Sequence, residues 1–203
     1  MNTYFKYNLN EKGVFKPNEG FYYSDTNYLL LAVLIEEITS LSYHTVLENR
    51  LLNRLSLNDT YLEFYHDKKG LAPIVYPYHG THSLKDFNTS FDWGGGGLLS
   101  TAKDLDVFLR SLLEGKLFSD KNTLQLMIDF TTDTLKNNIS YGMGLQQKEI
   151  GGLKFLGHNS AYGGMMFYNI DTNLSIILTI NQVLAPHKAE WLMKKVVEDY
   201  TFQ

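Results

Sequence analysis

An α+β architecture, with an antiparallel sheet flanked by helices, follows from three features of the sequence. The apolar run Tyr28 to Ile35 and the periodic stretches after it place helices early in the chain. From about Ile139 short β-branched and aromatic runs alternate with turn residues, as in strands joined by tight turns. A last periodic stretch, about His187 to Tyr200, returns to a helix able to pack on that sheet. With no repeat, low-complexity tract or linker, residues 1–203 read as one domain.

The first 20 residues are polar and end in K-P-N-E-G, a turn signature. Ser24, Asp25 and Thr26 follow, all able to cap a helix by accepting its unpaired N–H groups. The run behind them has no polar face, which predicts a helix from about Thr26 to Thr39 buried all round. A second helix, about Tyr43 to Leu55, carries Val46, Leu47, Leu51 and Leu55 on one stripe, and Ser56 to Thr60 closes it. Residues 61–92 have no sustained period; they are either a lid or binding loop, or a plain surface excursion.

Thr101 and Asp104 form a capping-box pattern, and Leu105, Phe108, Leu109 and Leu112 make the buried stripe of the helix it starts. Gly115 is placed to end that helix, and a shorter one runs from about Asp120 to Phe130. Strands are expected at Tyr141–Glu149, Leu153–Leu156, Met165–Asn169 and Leu174–Asn181. In the last helix Leu192, Val196 and Val197 are expected to face the sheet.

Composition narrows the partners. A formal net charge of −4 with no basic cluster gives nucleic acid or an anionic membrane no electrostatic footprint. With no cysteine the chain has neither disulfides nor thiolate metal sites. Its longest apolar run is far too short to span a bilayer, and its first residues hold no signal-peptide core. No cofactor is expected: the four glycines Gly94 to Gly97 lack the Gly-Lys-Ser/Thr of a phosphate loop. His79-Gly-Thr-His82 sits in a loop without the intervening Glu of a metalloprotease helix, so no metal is expected.

Around Phe21-Tyr22-Tyr23-Ser24-Asp25-Thr26-Asn27-Tyr28 the sequence, with its apolar helix and the following Glu36-Glu37-Ile38-Thr39-Ser40, resembles the second motif region of the penicillin-recognising serine hydrolases. That family takes in class C-type β-lactamases, D-alanyl-D-alanine carboxypeptidases and related esterases. The stretch Gly157-His158-Asn159-Ser160 resembles the family's Gly-His-x-Gly strand motif, and the landmarks keep the family's order from about Phe15 to Thr201. The resemblance implies a β-lactamase/transpeptidase-like fold with a helical subdomain, incomplete at its N-terminus, where the family carries Ser-x-x-Lys.

What it implies for the site is specific. Tyr23 is the acid/base phenol, and Asp25 stands where the family has Asn, so a carboxylate that cannot donate replaces an amide that can. His158 stands in place of a Lys at the head of the strand motif, beside the phenol and the substrate's tail. Asn159, Ser160 and Ala161 line the substrate, with the N–H of Ala161 completing an oxyanion hole; Ser160 replaces a Gly, so its side chain is expected to crowd the substrate. The reading from the residues alone leaves Tyr23 and His158 open as packed aromatic and structural imidazole.

Ser100-Thr101-Ala102-Lys103 is formally Ser-x-x-Lys, but the capping pattern already gives the segment a structural role and the catalytic order would be permuted. The expected function is therefore part of a serine hydrolase that forms an acyl-enzyme on an amide, β-lactam or ester carbonyl, inactive without an upstream nucleophile. The alternative is a non-catalytic module binding peptidoglycan-type or acyl ligands. The expected partner is a small-molecule or peptidoglycan-like substrate, with self-association through an exposed sheet edge and an exported or cell-envelope setting implied by the family.

Overall fold

The computed structural model describes residues 13–16, 19–67, 73–130 and 140–201. Part of the K-P-N-E-G turn, at Pro17 and Asn18, lies outside them.

Helix α1 (Asp25–Thr39) begins where the sequence says, with Ser24 as N-cap accepting from the N–H of Thr26, and ends at Ser40 in a left-handed conformation. Only Leu29 and Ala32 are buried along it. The expectation of burial all round is corrected: Leu31, Leu34 and Ile38 are 53%, 51% and 74% exposed. A wholly apolar helix needs cover on every side, and the described residues cover one side of this one. That cover comes from α4 (Trp93–Gly96), where a Cβ on Gly94 would stand 2.4 Å from Cβ of Ala32, and from the helical run that follows, whose Tyr43 N–H donates to Oε1 of Glu36. The glycine run thus serves close helix packing.

Residues Tyr43 to Leu55 form one helical run: α2 (Tyr43–Leu47), a π-helical turn (Glu48–Leu52) and α3 (Asn53–Leu55). The wider turn shifts the phase of the apolar stripe, so that Leu52 is buried beside Val46 and Leu47 in place of Leu51. Short strands β1 (Tyr61–Leu62) and β4 (Leu98–Leu99) pair with each other and bracket the irregular stretch. Within it, β2 (Tyr78–His79) and β3 (His82–Ser83) make a hairpin.

The main sheet is an antiparallel meander in the order β5 (Ser140–Tyr141), β6 (Gln146–Ile150), β7 (Leu153–Asn159), β8 (Gly164–Asn169), β9 (Leu174–Thr179). The expected strand Tyr141–Glu149 is two strands, because Gly142 to Leu145 form a turn with Gly144 at φ +78°. One sheet face packs on α5 (Ala102–Leu113) through Leu109, Leu112, Leu113, Leu145 and Tyr168. A further helix, α6 (Lys121–Met127), adds Leu124 and Met127 to that cluster. The other face packs on α7 (Pro186–Thr201), where Ala189, Met193 and Val197 meet Phe155, Met165, Phe167 and Ile176. Each such large apolar side chain contributes about 1.5–3 kcal/mol on burial.

Two expectations change here. In α7 the buried stripe is Ala189, Met193 and Val197, while Leu192 and Val196 are exposed. The helix is apolar on more than one side, and the shape of the sheet chooses which. At α5, Thr101 caps as expected, accepting from the N–H of Asp104. The carboxylate of Asp104 does not return to the cap. It is buried and accepts from the N–H of Asp59 at 2.9 Å and the hydroxyl of Thr60 at 2.8 Å, tying the start of α5 to the end of the preceding helical run. Among the described residues no single helix is long and apolar enough to cross a membrane.

Candidate active site

The capped start of α1 turns the chain so that Tyr23 projects beside it and donates from its hydroxyl to Oδ1 of Asp25 at 3.0 Å. Burial and the neighbouring carboxylate push the phenol's pKa well above its ordinary value, so it stays protonated at neutral pH. Across from it lies β7. Gly157 allows β7 and β8 to close, since a Cβ there would meet the carbonyl oxygen of Met166 at 1.9 Å. That places His158 with its ring centroid 6.3 Å from the Tyr23 ring.

Two tyrosines join these elements. Nδ1 of His158 lies 2.6 Å from the carbonyl oxygen of Asn159, and Nε2 lies 3.0 Å from the hydroxyl of Tyr141. That hydroxyl is also hydrogen-bonded to the hydroxyl of Tyr28, one turn into α1. The Tyr141 and Tyr23 rings meet edge to face with centroids 5.7 Å apart. Burial lowers the pKa of His158, and Lys148 lowers it further, against the raising effects of the Asn159 carbonyl and of Asp25. The imidazole is therefore neutral at pH 7. Burial and the bond to Tyr28 raise the pKa of Tyr141.

Beyond His158 the chain makes the turn to β8. The N–H of Ser160 donates to the carbonyl of Gly164 at 2.7 Å, and Oγ of Ser160 accepts from the N–H of Tyr162 at 3.1 Å. The Ser160 hydroxyl is thus turned back into its own loop. The N–H of Ala161 has no hydrogen-bond partner among the described residues, as an oxyanion donor requires. Oδ1 of Asn159 is buried and also lacks a partner there.

Beside these residues lies a cleft of about 960 Å3 between the sheet and the irregular stretch. His158, Asn159 and Ser160 line it; Tyr23, Asp25 and Ala161 are not among its lining residues and stand at the phenol cluster and the turn. The opposite wall comes from residues 73–77 and 84–89, so the irregular stretch does border the cleft. Hydrogen bonds tie it to the far side of the cleft. Tyr78 exchanges backbone hydrogen bonds of 2.9 Å with Asn181 and Val183 just past β9, and Tyr162 donates to Oδ2 of Asp92 at 2.6 Å. Burial raises the pKa of Asp92 even though the Tyr162 bond lowers it.

Of the remaining candidates, Ser100 also lines the cleft, while His79 and His82 do not. Ser100 shares a 2.7 Å hydrogen bond with the hydroxyl of Thr60, which in turn donates to Asp104, while Lys103 is exposed. That is a structural pin at the head of α5. His79 and His82 face each other across an exposed hairpin, and among the described residues no group of three His, Asp or Glu is placed to hold a metal.

The Beta-lactamase family model matches residues 4–195, nearly the whole sequence. The chain belongs to the beta-lactamase family. Within this family it is 33% identical over 124 residues to a teichoic acid D-alanine hydrolase of Staphylococcus aureus, a match covering 59% of this chain and 31% of the relative. The chain therefore matches about a third of that relative's length. A D-stereospecific amidohydrolase from Streptomyces sp. superposes with a TM-score of 0.71 at 26% identity, over 83% of this chain and 52% of the other. The D-amino acid amidase of Ochrobactrum anthropi SV3 superposes with a TM-score of 0.80 at 23% identity, over 96% and 66%. The resemblance to penicillin-recognising serine hydrolases and the β-lactamase/transpeptidase-like α+β fold both hold.

The structure brings Tyr23, Asp25 and His158 together, as the sequence reading expects. That reading missed Tyr28 and Tyr141. Tyr28 closes the quoted motif but counts as apolar in a helix pattern, and Tyr141 carries no signal beyond the glycine turn after it.

Proposed function

We propose that this chain forms the phenol and imidazole side of a serine acyl-transfer site acting on D-aminoacyl esters and amides. The hydrogen-bonded series from Tyr28 of α1 through Tyr141 to His158, which lines the cleft, with the Tyr23–Asp25 pair in ring contact beside it, carries this reading. In such a reaction a serine oxygen bonds to the carbonyl carbon and its proton passes to a base. The oxyanion is received by backbone N–H groups such as that of Ala161, and a donor of this kind is worth on the order of 10²–10³ in rate. Collapse expels the alcohol or amine with a proton, and water then releases the acyl group as the acid.

Charge selects the substrate class. His158 is neutral and so offers no full positive charge to a carboxylate, and Asp25 adds a negative one where the family has an amide. A ligand ending in a carboxylate is disfavoured relative to an ester or amide with a free amine. The names of the D-alanine hydrolase and D-stereospecific amidohydrolase relatives agree with that class.

No described serine hydroxyl is hydrogen-bonded to Tyr23, Tyr28, Tyr141 or His158. This favours a second reading for these 203 residues taken alone, a cleft that binds without turnover. The two readings share one test, D-alanine p-nitroanilide with the 203-residue chain. Saturable binding weakened at least about tenfold by His158→Ala, a loss of about 1.4 kcal/mol, is expected, with nitroaniline release at the background rate. Release abolished by Tyr23→Phe would place the nucleophile within this chain and overturn the expectation of no turnover; absence of binding would overturn the cleft assignment.

A further inference from the structure

We propose that Tyr141 is a positioning residue for His158, and that the ordered series Tyr28, Tyr141, His158 and the Asn159 carbonyl couples the protonation of the imidazole to the hydroxyl of Tyr28 in α1. This rests on the reading of His158 as a site residue. A carbonyl oxygen can only accept, so Nδ1 of His158, 2.6 Å from the oxygen of Asn159, carries the hydrogen. In the neutral ring Nε2 is then an acceptor, and its partner at 3.0 Å, the Tyr141 hydroxyl, must donate to it. Tyr141 has one proton, now committed, so the hydroxyl of Tyr28 donates to Tyr141. Every donor in the series points toward β7.

Protonation of His158 reverses that direction. Nε2–H donates to the oxygen of Tyr141, the Tyr141 proton turns to the oxygen of Tyr28, and the Tyr28 proton is freed toward the start of α1. There the Tyr23 ring lies 5.7 Å away, with Asp25 at its hydroxyl. No bond is made or broken beyond the single proton taken up from solvent. The charged and titratable groups acting on His158 are Asp25 of α1, which favours the protonated ring, and Lys148 of β6, which disfavours it; Tyr23 faces it and Tyr141 touches it.

The coupling has a measurable consequence. Among the described residues the Tyr141 hydroxyl has two partners, Tyr28 and His158. In Tyr28→Phe the neutral series survives, because Tyr141 still donates to Nε2. The protonated form then strands the Tyr141 hydrogen in a buried site, at a cost equivalent to about one pH unit of His158 titration.

The experiment is 15N NMR titration of the imidazoles in the 203-residue chain, in wild type, Tyr28→Phe, Tyr141→Phe and the double variant. Wild type is expected to show His158 as the Nδ1–H tautomer, which needs no variant to observe. Tyr28→Phe is expected to lower the His158 midpoint by about one pH unit, and to leave it unmoved when Tyr141 is already Phe. An Nε2–H tautomer in wild type, no shift in Tyr28→Phe, or the same shift in both backgrounds would overturn the proposal. None of these readouts involves ligand, so failure of the D-aminoacyl binding test leaves this result standing, and the converse.

Discussion

Replacing Gly163 with alanine tests how the turn between β7 and β8 is held. Gly163 sits at φ +93°, and a Cβ there would fall 1.9 Å from the carbonyl oxygen of Ile180 and 2.7 Å from that of Gln182. Side-chain strain at such a backbone angle costs on the order of 1–3 kcal/mol. Forcing a methyl into a filled space adds about 1–3 kcal/mol, so the total is about 2–6 kcal/mol. For a chain of this size that lowers the melting temperature by roughly 5–20 °C. The turn must also swing off the end of β9, because the N–H of Ile180 donates to the carbonyl of Gly163 at 2.9 Å. Ala161 moves with it. Gly80→Ala separates the two contributions, since Gly80 has φ +61° and nothing within 4 Å of its added Cβ. Thermal denaturation followed by circular dichroism is the assay. Equal destabilisation by the two variants, or a Gly163→Ala protein within about 1 kcal/mol of wild type, would refute the claim that close approach to β9 fixes this turn.

Three other outcomes are expected. Lys148 is buried and ion-paired with Glu190 under a cation–π contact to Phe167, so Glu190→Gln should cost about 1–3 kcal/mol in urea unfolding while Lys148→Met stays near wild type; the reverse order would contradict this. Because burial holds the folded His158 below its ordinary value near 6.5, the unfolded chain binds more protons in the window beneath that value, and stability should fall as pH drops through it. His158→Gln should flatten that dependence, and an unchanged pH profile would count against a buried imidazole. The face of α1 that the described residues leave uncovered should drive self-association, so that Leu34→Lys with Ile38→Lys lowers the mass seen by light scattering at high concentration, and a wild-type chain that is already monomeric would dismiss the idea.

The order of elements was legible because each is short-range in origin. Ser24 and Thr101 cap by contacts within three residues, and the β-branched run at β9 needs no partner to be recognised. What escaped depends on distant partners. Apolarity alone could not say that α1 has one covered side, nor which residues of α7 meet the sheet, because neighbours decide both. The carboxylate of Asp104 left its expected local partner for Asp59 and Thr60, more than forty residues away in sequence. Tyr28 and Tyr141 are 113 residues apart, and a tyrosine reads as packing until its hydroxyl has a partner. The proximity of Tyr23, Asp25 and His158 was legible as a pattern, whereas the hydroxyls joining α1 to β7 needed the fold.

On the proposed function, the cleft beside His158 receives a D-aminoacyl ester or amide. Titrating D-alanine amide into the 15N-labelled chain tests it most directly. Saturable shifts are expected at the N–H of Ala161 and at the His158 imidazole, with D-alanyl-D-alanine binding at least about tenfold more weakly, a difference of about 1.4 kcal/mol. Shifts elsewhere on the chain with His158 and Ala161 unmoved, or tighter binding of the carboxylate-bearing dipeptide, would contradict it.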